Sequence, residues 1–129
     1  MSKQTRRAHY NINYHFVWCP KFRRPVLVGE IARRLMELIP VEVERLGGEV
    51  LDLTVQSNYV HLFASFPPTI SIAQIMHGIK STTAYQLRQE FPELRSRPPS
   101  LWACSYYVET AGFVSTEMTR PRMDEQKGQ

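Results

Sequence analysis

Residues Val50 to Pro68 are the stretch that most narrows the possible folds of this chain. The stretch is typical of two β-strands joined by a tight polar turn at Ser57 and Asn58, because runs rich in β-branched and aromatic residues flank two turn-forming residues. Side chains alternate between the two faces of a strand. In the second strand one face carries Val60, Leu62, Ala64 and Phe66, and the other carries Tyr59, His61, Phe63 and Ser65. The pattern predicts a hairpin in which the polar pair Tyr59 and His61 points the same way.

Other periodicities predict an alternation of strands and helices around this hairpin. The predicted elements are a strand at Tyr10–Trp18, a helix at Gly29–Leu46 bent near Ile39 by Pro40, the hairpin, a helix at Ser71–Phe91 capped by Ser71, a strand at Leu101–Thr110, a turn at Ala111–Gly112 and a helix at Thr116–Gln126. Short right-handed connections place this order in an α+β, ferredoxin-like fold. We therefore expect a four-stranded antiparallel sheet with helices on one face, plus a C-terminal helix.

Length and composition indicate one globular domain spanning residues 1–129. Hydrophobic residues make up 43% and charged residues 22% of the chain, which is close to the globular average and argues against disorder. The formal net charge of +4 favours anionic partners such as nucleic acid. A solvated basic surface without such a partner explains the same charge.

The cysteines and the N-terminal sequence bear on the cellular compartment. Cys19 and Cys104 lack the paired spacing of a zinc site, and we expect buried free thiols in a reducing cytosol. No apolar leader and no run long enough to span a membrane is present in the sequence. We expect a cytoplasmic protein without a membrane partner.

Basic side chains cluster in segments suited to contact a nucleic-acid backbone. Between Pro20 and Pro25, an aromatic residue stands among three cations, which could bind phosphates while the ring stacks on a base. The predicted DNA-binding residues are Lys21, Phe22, Arg23, Arg24, Lys80, Arg95 and Arg97. The alternative for the cations is a solvated surface position.

Several of these motifs together resemble the HUH-type single-tyrosine transposases of insertion sequences, the TnpA type, which are close to the REP-associated tyrosine transposases. The resemblance covers about Tyr10 to Gln126. It rests on the frame Ser57-Asn58-Tyr59-Val60-His61-Leu62 followed by Pro67-Pro68, on the Lys-Phe-Arg-Arg loop, and on the aromatic residues Trp102, Tyr106 and Tyr107. It implies the ferredoxin-like fold, a homodimer, binding of single-stranded hairpin DNA at insertion-sequence ends, Mg²⁺ or Mn²⁺ as cofactor, and cleavage through a phosphotyrosine intermediate.

The resemblance also implies a set of catalytic residues, from which this chain departs twice. It assigns metal binding to His61 and Gln126, but Tyr59 stands at the position of a metal-binding histidine and Arg122 at that of the nucleophilic tyrosine. A phenol, with a pKa of about 10, is a poor ligand for a hard divalent cation at neutral pH. A guanidinium has no acceptor atom and cannot attack phosphorus. We therefore expect weak or absent metal binding and lost or very weak cleavage.

Alternatives remain open at the level of residues and of the whole protein. Without the resemblance, His61 is typical of a structural histidine and Gln126 of a solvated side chain. Tyr59, Tyr106 or Tyr107 could replace the nucleophile, although strand residues rarely reach a phosphate in line with its leaving group. The whole chain could instead be a domesticated DNA- or RNA-binding regulator without catalysis, or a decaying gene product that keeps its fold.

Overall fold

A four-stranded antiparallel sheet organises the protein, whose computed structural model describes residues 10–95 and 100–112. The strands and helices are β1 (Ile12–Trp18), α1 (Gly29–Arg45), β2 (Glu49–Gln56), β3 (Tyr59–Phe66), α2 (Ile72–Glu90) and β4 (Tyr107–Gly112), with short 3-10 turns at Lys21–Arg23 and Pro92–Leu94. The strand order is β2-β3-β1-β4, and every neighbouring pair is antiparallel. This is the ferredoxin-like arrangement, so the predicted fold class is confirmed. The predicted helix at Thr116–Gln126 lies outside the described residues.

Both described helices pack on one face of the sheet. Alternate residues of β1 and β3 enter one hydrophobic core together with the apolar stripes of α1 and α2. Its fully buried members include Phe16 on β1, Leu62 on β3, Ile39 on α1 and Ile79 on α2. The aromatic side chains Tyr14, Phe16 and Trp18 of β1 therefore belong to the core face of the sheet.

Helix α1 continues without a break through Pro40. A proline inside a helix costs about 3 kcal/mol because it removes one hydrogen bond and crowds the preceding turn. Ile39 and Val43, on either side of it, have no solvent exposure. Their burial against the sheet holds the helix in one piece.

Helix α2 begins with a capping box at Ser71. The Ser71 hydroxyl accepts from the Gln74 amide at 3.0 Å, and the Gln74 side chain accepts from the Ser71 amide at 2.9 Å. The predicted cap is thus confirmed. Gly78 lies inside this unbroken helix, where an added Cβ would come within 3.1 Å of Glu42 and 3.2 Å of Leu46. The glycine therefore marks a close approach of α2 to α1.

The last strand starts later than its sequence pattern predicts. β4 begins at Tyr107 rather than Leu101, and Gly112, predicted to lie in a turn, belongs to the strand. Before β4, Trp102 makes only an isolated bridge to Pro20. Trp102 is therefore buried at the edge of the core without joining a continuous ladder, whereas Tyr106 and Tyr107 are exposed.

Two further expectations concern the cysteines and the membrane. Both cysteines are free, but Cys104 is exposed and Cys19 only half-buried, so the prediction of buried thiols is wrong for Cys104. Cys104 lies in the irregular segment before β4, where the chain turns toward solvent.

Within the part of the chain that the structure describes, no helix has the length and apolar character to cross a bilayer.

Candidate nucleic-acid interface

Tyr59 and His61 lie on the sheet face opposite the two described helices. Strand pairing places His61 directly between Thr54 of β2 and Val17 of β1, and Val17 in turn faces Tyr107 of β4. The core residues of β3 point the other way. The prediction that Tyr59 and His61 point the same way is therefore confirmed. His61, Val17 and Tyr107 form a row across three neighbouring strands.

An open pocket of about 530 Å³ lies at the end of this row. Its lining residues are Val17, Trp18, Cys19, Arg23, Tyr59, His61, Ser105, Tyr106 and Tyr107. Three residues predicted for the site, Arg23, Tyr59 and His61, meet here. Tyr106 and Tyr107, the other possible substitutes for the nucleophile, also line the pocket. The pocket combines aromatic faces with one cation, which is the chemistry of single-stranded nucleic-acid sites.

The basic loop reaches this pocket through an unusual backbone. Phe22 and Arg23 both adopt the left-handed conformation, with φ of 62° and 52°. Such residues cost about 1–3 kcal/mol each and persist only where the surrounding structure determines them. Here the Lys21 amide donates to the Leu101 carbonyl at 2.8 Å, and the Arg23 amide donates to the Pro20 carbonyl at 2.8 Å. The strain places the Phe22 ring in solvent, 77% exposed, while Arg23 joins the pocket wall.

His15 is a neighbour of His61 that the sequence analysis did not single out. Its ring stacks on Phe63 with centroids 4.2 Å apart and lies nearly parallel to the His61 ring at 5.7 Å. Both imidazoles are buried, each with 5% exposure. Alternation places His15 on the face of β1 opposite the core, but only the pairing of β1 with β3 shows that this face carries His61.

The described residues, 10–95 and 100–112, show no cluster of three His, Cys, Asp or Glu side chains that could hold a metal ion. The His15 and His61 rings stack with an interplanar angle of 9°, so their planes do not converge on a common point. Tyr59 offers a phenol in place of an imidazole. Gln126 and Arg122 lie outside the described residues, so their predicted roles stay predictions.

The other described residues that were predicted to bind DNA do not line this pocket. Lys80 directs its ammonium at backbone carbonyls of residues 103–105 and lines a second cavity, of about 550 Å³. Arg95 is exposed at the end of the 3-10 turn that follows α2. Arg97 lies outside the described residues. Lys21 places its ammonium 5.8 Å from the centroid of the Phe22 ring.

Known proteins are similar to this chain in sequence and in fold. The family described as IS200-like transposases matches residues 8–126. The ISDra2 transposase TnpA of Deinococcus radiodurans is 32% identical over 110 residues, which cover 84% of this chain and 79% of the relative. The transposase for insertion sequence element IS200 of Salmonella typhimurium is 25% identical over 134 residues, which cover 96% of this chain and 88% of the relative.

Solved structures agree with these sequence matches. A crystal structure described as a transposase from Deinococcus radiodurans R1 has a TM-score of 0.75 at 29% identity, covering 92% of this chain and 90% of that one. A REP-associated tyrosine transposase bound to a REP hairpin has a TM-score of 0.64 at 14% identity, covering 91% of this chain and 65% of that one. At that identity, the second likeness shows the fold alone. Since the family match spans nearly the whole chain, this protein belongs to the IS200-like transposases.

Proposed function

We propose that this transposase binds single-stranded hairpin DNA at insertion-sequence ends, with DNA cleavage lost or very weak. The observation that carries the proposal is the pocket in which Tyr59, rather than a second imidazole, accompanies His61 beside Arg23. Aromatic faces and a cation suit a stacked base and its phosphate, whereas a phenol is a poor partner for a hard cation. The pocket therefore favours binding over metal-assisted chemistry.

The basic loop supplies the second contact in this proposal. Phe22 is held in solvent by a strained backbone, and strained backbone positions cluster at active and ligand-binding sites. Arg23 is positioned to neutralise a phosphate at the pocket while Lys21 and Arg24 flank it in the sequence. A REP-associated tyrosine transposase of the same fold is bound to a hairpin in its solved structure, which is consistent with hairpin DNA as the ligand here.

Tyr107 of the pocket is a poor substitute for a nucleophile. The Tyr107 hydroxyl donates to the Glu109 carboxylate at 3.2 Å, and the charge of Glu109 together with this hydrogen bond raises the pKa of Tyr107 above its usual value. A hydroxyl that holds its proton more tightly is less readily activated for attack. With Arg122 at the nucleophile position, we propose that no described side chain replaces the missing tyrosine.

The test uses a pool of 5′-labelled single-stranded oligonucleotides that fold into imperfect hairpins with randomised loops and flanks. A pool of equal length without self-complementarity is the control. We expect preferential retention of the hairpin pool in native gels, and no covalent adduct in denaturing gels with Mg²⁺ or Mn²⁺. A covalent protein–DNA adduct would overturn the loss of cleavage, and equal retention of both pools would overturn hairpin binding.

A reversion experiment identifies the cause of the lost chemistry. The double substitution Tyr59→His and Arg122→Tyr places the family residues at both altered positions. We expect adduct formation to return in the double variant and in neither single variant, because cleavage needs both a bound metal and a nucleophile. Adduct in the Arg122→Tyr variant alone would show that Tyr59 does not impair metal binding.

The regulator alternative shares the binding face and predicts different ligands. A domesticated regulator would bind structured RNA or duplex DNA as well as single-stranded hairpins, with a steep salt dependence from released counterions. Competition of the labelled hairpin pool by folded RNA separates the two functions.

We also propose a homodimer, since β2 and β4 are edge strands of the described sheet. Light scattering at several protein concentrations tests this oligomeric state.

A further inference from the structure

Lys80 makes an unusual set of hydrogen bonds for a surface cation. Its ammonium donates to the carbonyl of Ala103 at 2.7 Å, of Ser105 at 3.3 Å and of Cys104 at 3.4 Å. It also lies 5.5 Å from the centroid of the Tyr106 ring, in range of a cation–π contact. An ammonium has three donors, and three consecutive carbonyls accept them here.

These carbonyls belong to the irregular segment that precedes β4. The segment lies between the isolated bridge of Trp102 and the start of β4, and the Ala103 amide donates to the Cys19 carbonyl at 2.9 Å. A single ammonium that donates to consecutive carbonyls restrains their relative orientation, and the bond to the Ala103 carbonyl is the partly buried one of the three. Lys80 of α2 supplies that ammonium and ties the segment to the helix layer.

The same segment forms one wall of the pocket that contains His61. Ser105, Tyr106 and Tyr107 line this pocket, and Tyr106 also lines the second cavity on the Lys80 side. A shift of the segment would therefore move two of the aromatic faces available to a base. Partial burial of the Lys80 ammonium, which lowers its pKa, agrees with a side chain committed to the protein rather than to solvent.

We propose that Lys80 is a positioning residue, which fixes the Tyr106–Tyr107 wall of the DNA pocket through the three carbonyls instead of contacting a phosphate. The proposal rests on the proposed hairpin binding, and it refines the sequence-based prediction of a phosphate contact. It assigns to α2 a role in shaping the interface on the opposite side of the sheet.

The test compares Lys80→Met with two matched variants of the full chain, Ser81→Ala on the same helix and Lys21→Met in the basic loop. Affinity for the hairpin pool is measured across salt concentrations, and amide hydrogen exchange of residues 103–107 is measured without DNA. We expect Lys80→Met to weaken binding about fivefold to a hundredfold, the range for one misplaced stacking residue. We expect its salt slope to equal that of the wild type and its exchange at residues 103–107 to rise.

The variants separate positioning from charge. Loss of one phosphate contact reduces the salt slope by about 0.7 for single-stranded DNA, and we expect that reduction in Lys21→Met. The same reduction in Lys80→Met, or unchanged exchange at residues 103–107, would overturn the proposal. We expect Ser81→Ala to leave the exchange of this segment unchanged, and faster exchange there would also count against a specific role of Lys80. If wild-type protein fails to bind the hairpin pool, the proposed function fails, and the exchange data still decide whether Lys80 holds the segment.

Discussion

Thr83 on α2 is the buried hydrogen-bond partner of Trp102, and its replacement by valine tests how much this hydrogen bond stabilises the fold. The Trp102 indole donates to the Thr83 hydroxyl at 3.0 Å, and this hydroxyl donates to the Ile79 carbonyl at 2.7 Å. Thr83 has no solvent exposure and Trp102 has 5%. Water therefore cannot replace the hydroxyl if it is removed.

Thr83→Val keeps the shape of the side chain and removes only its hydrogen-bonding group. The Ile79 carbonyl retains its helical partner, but the indole N–H loses its acceptor. A buried donor left unsatisfied costs about 1–3 kcal/mol, and the helix propensities of threonine and valine are nearly equal. We therefore expect the free energy of unfolding to fall by about 1–3 kcal/mol.

Urea denaturation, followed by circular dichroism, measures this change. With a denaturant slope of about 1–3 kcal/mol per molar for small proteins, the unfolding midpoint should fall by an amount on the order of 1 M. Thr83→Ser retains the hydroxyl and should lose less, about 0.8 kcal/mol for the missing methyl group. In a Trp102→Phe background, where no indole N–H remains, Thr83→Val should have nearly no effect. Equal costs in both backgrounds would refute the reasoning.

Three further predictions concern a tight contact, an ion pair and the basic loop. Gly48→Ala should lower the free energy of unfolding by about 1–3 kcal/mol in urea, because the new Cβ would clash with the buried Phe66 ring; an unchanged midpoint would contradict the clash. Hydrogen bonds from Arg34 and, with a smaller effect, from Gln86 lower the pKa of Glu90, so the resulting stabilisation is present above the ordinary pKa of 4.5 and is lost as pH falls through the folded-state pKa. Glu90→Gln should therefore be less stable than wild type at pH 7 and approach it in acid, and a pH-independent difference would argue against the pair. Phe22→Ala should weaken binding of single-stranded hairpins by about 1–3 kcal/mol while Phe22→Trp preserves it, as filter binding can measure, and equal affinities of all three proteins would exclude stacking.

Local sequence patterns correctly predicted the element boundaries that depend on residues adjacent in the sequence. The turn at Ser57 and Asn58 and the cap at Ser71 were found where turn and cap chemistry placed them. The predicted start of the last strand was wrong because Trp102 is buried by the core and paired with Pro20, a partner distant in sequence. Trp102 is buried without joining the strand, and Tyr106 is exposed before the strand begins, so the aromatic content of this segment does not fix where strand pairing starts.

For the site, alternation alone placed Tyr59 and His61 on one face, and the Lys-Phe-Arg-Arg segment indicated a basic loop. The left-handed backbone at Phe22 could not be predicted, since phenylalanine has no preference for that conformation and long-range hydrogen bonds hold it there. The engagement of Lys80 with carbonyls of another segment depends on how α2 packs beside the approach to β4.

The sequence by itself determined which side chains share a face, because sides alternate every two or 3.6 residues, and it determined where the two described helices begin and end to within one residue, because capping depends on adjacent residues. It also carried the two departures, Tyr59 and Arg122, on which the proposed loss of cleavage depends. Only the tertiary structure decided that His15 lies beside His61, that Arg23 enters the same pocket, and that the Lys80 ammonium donates to the carbonyls of residues 103–105. These arrangements arise from strand register and helix packing, which join residues far apart in sequence and have no local period.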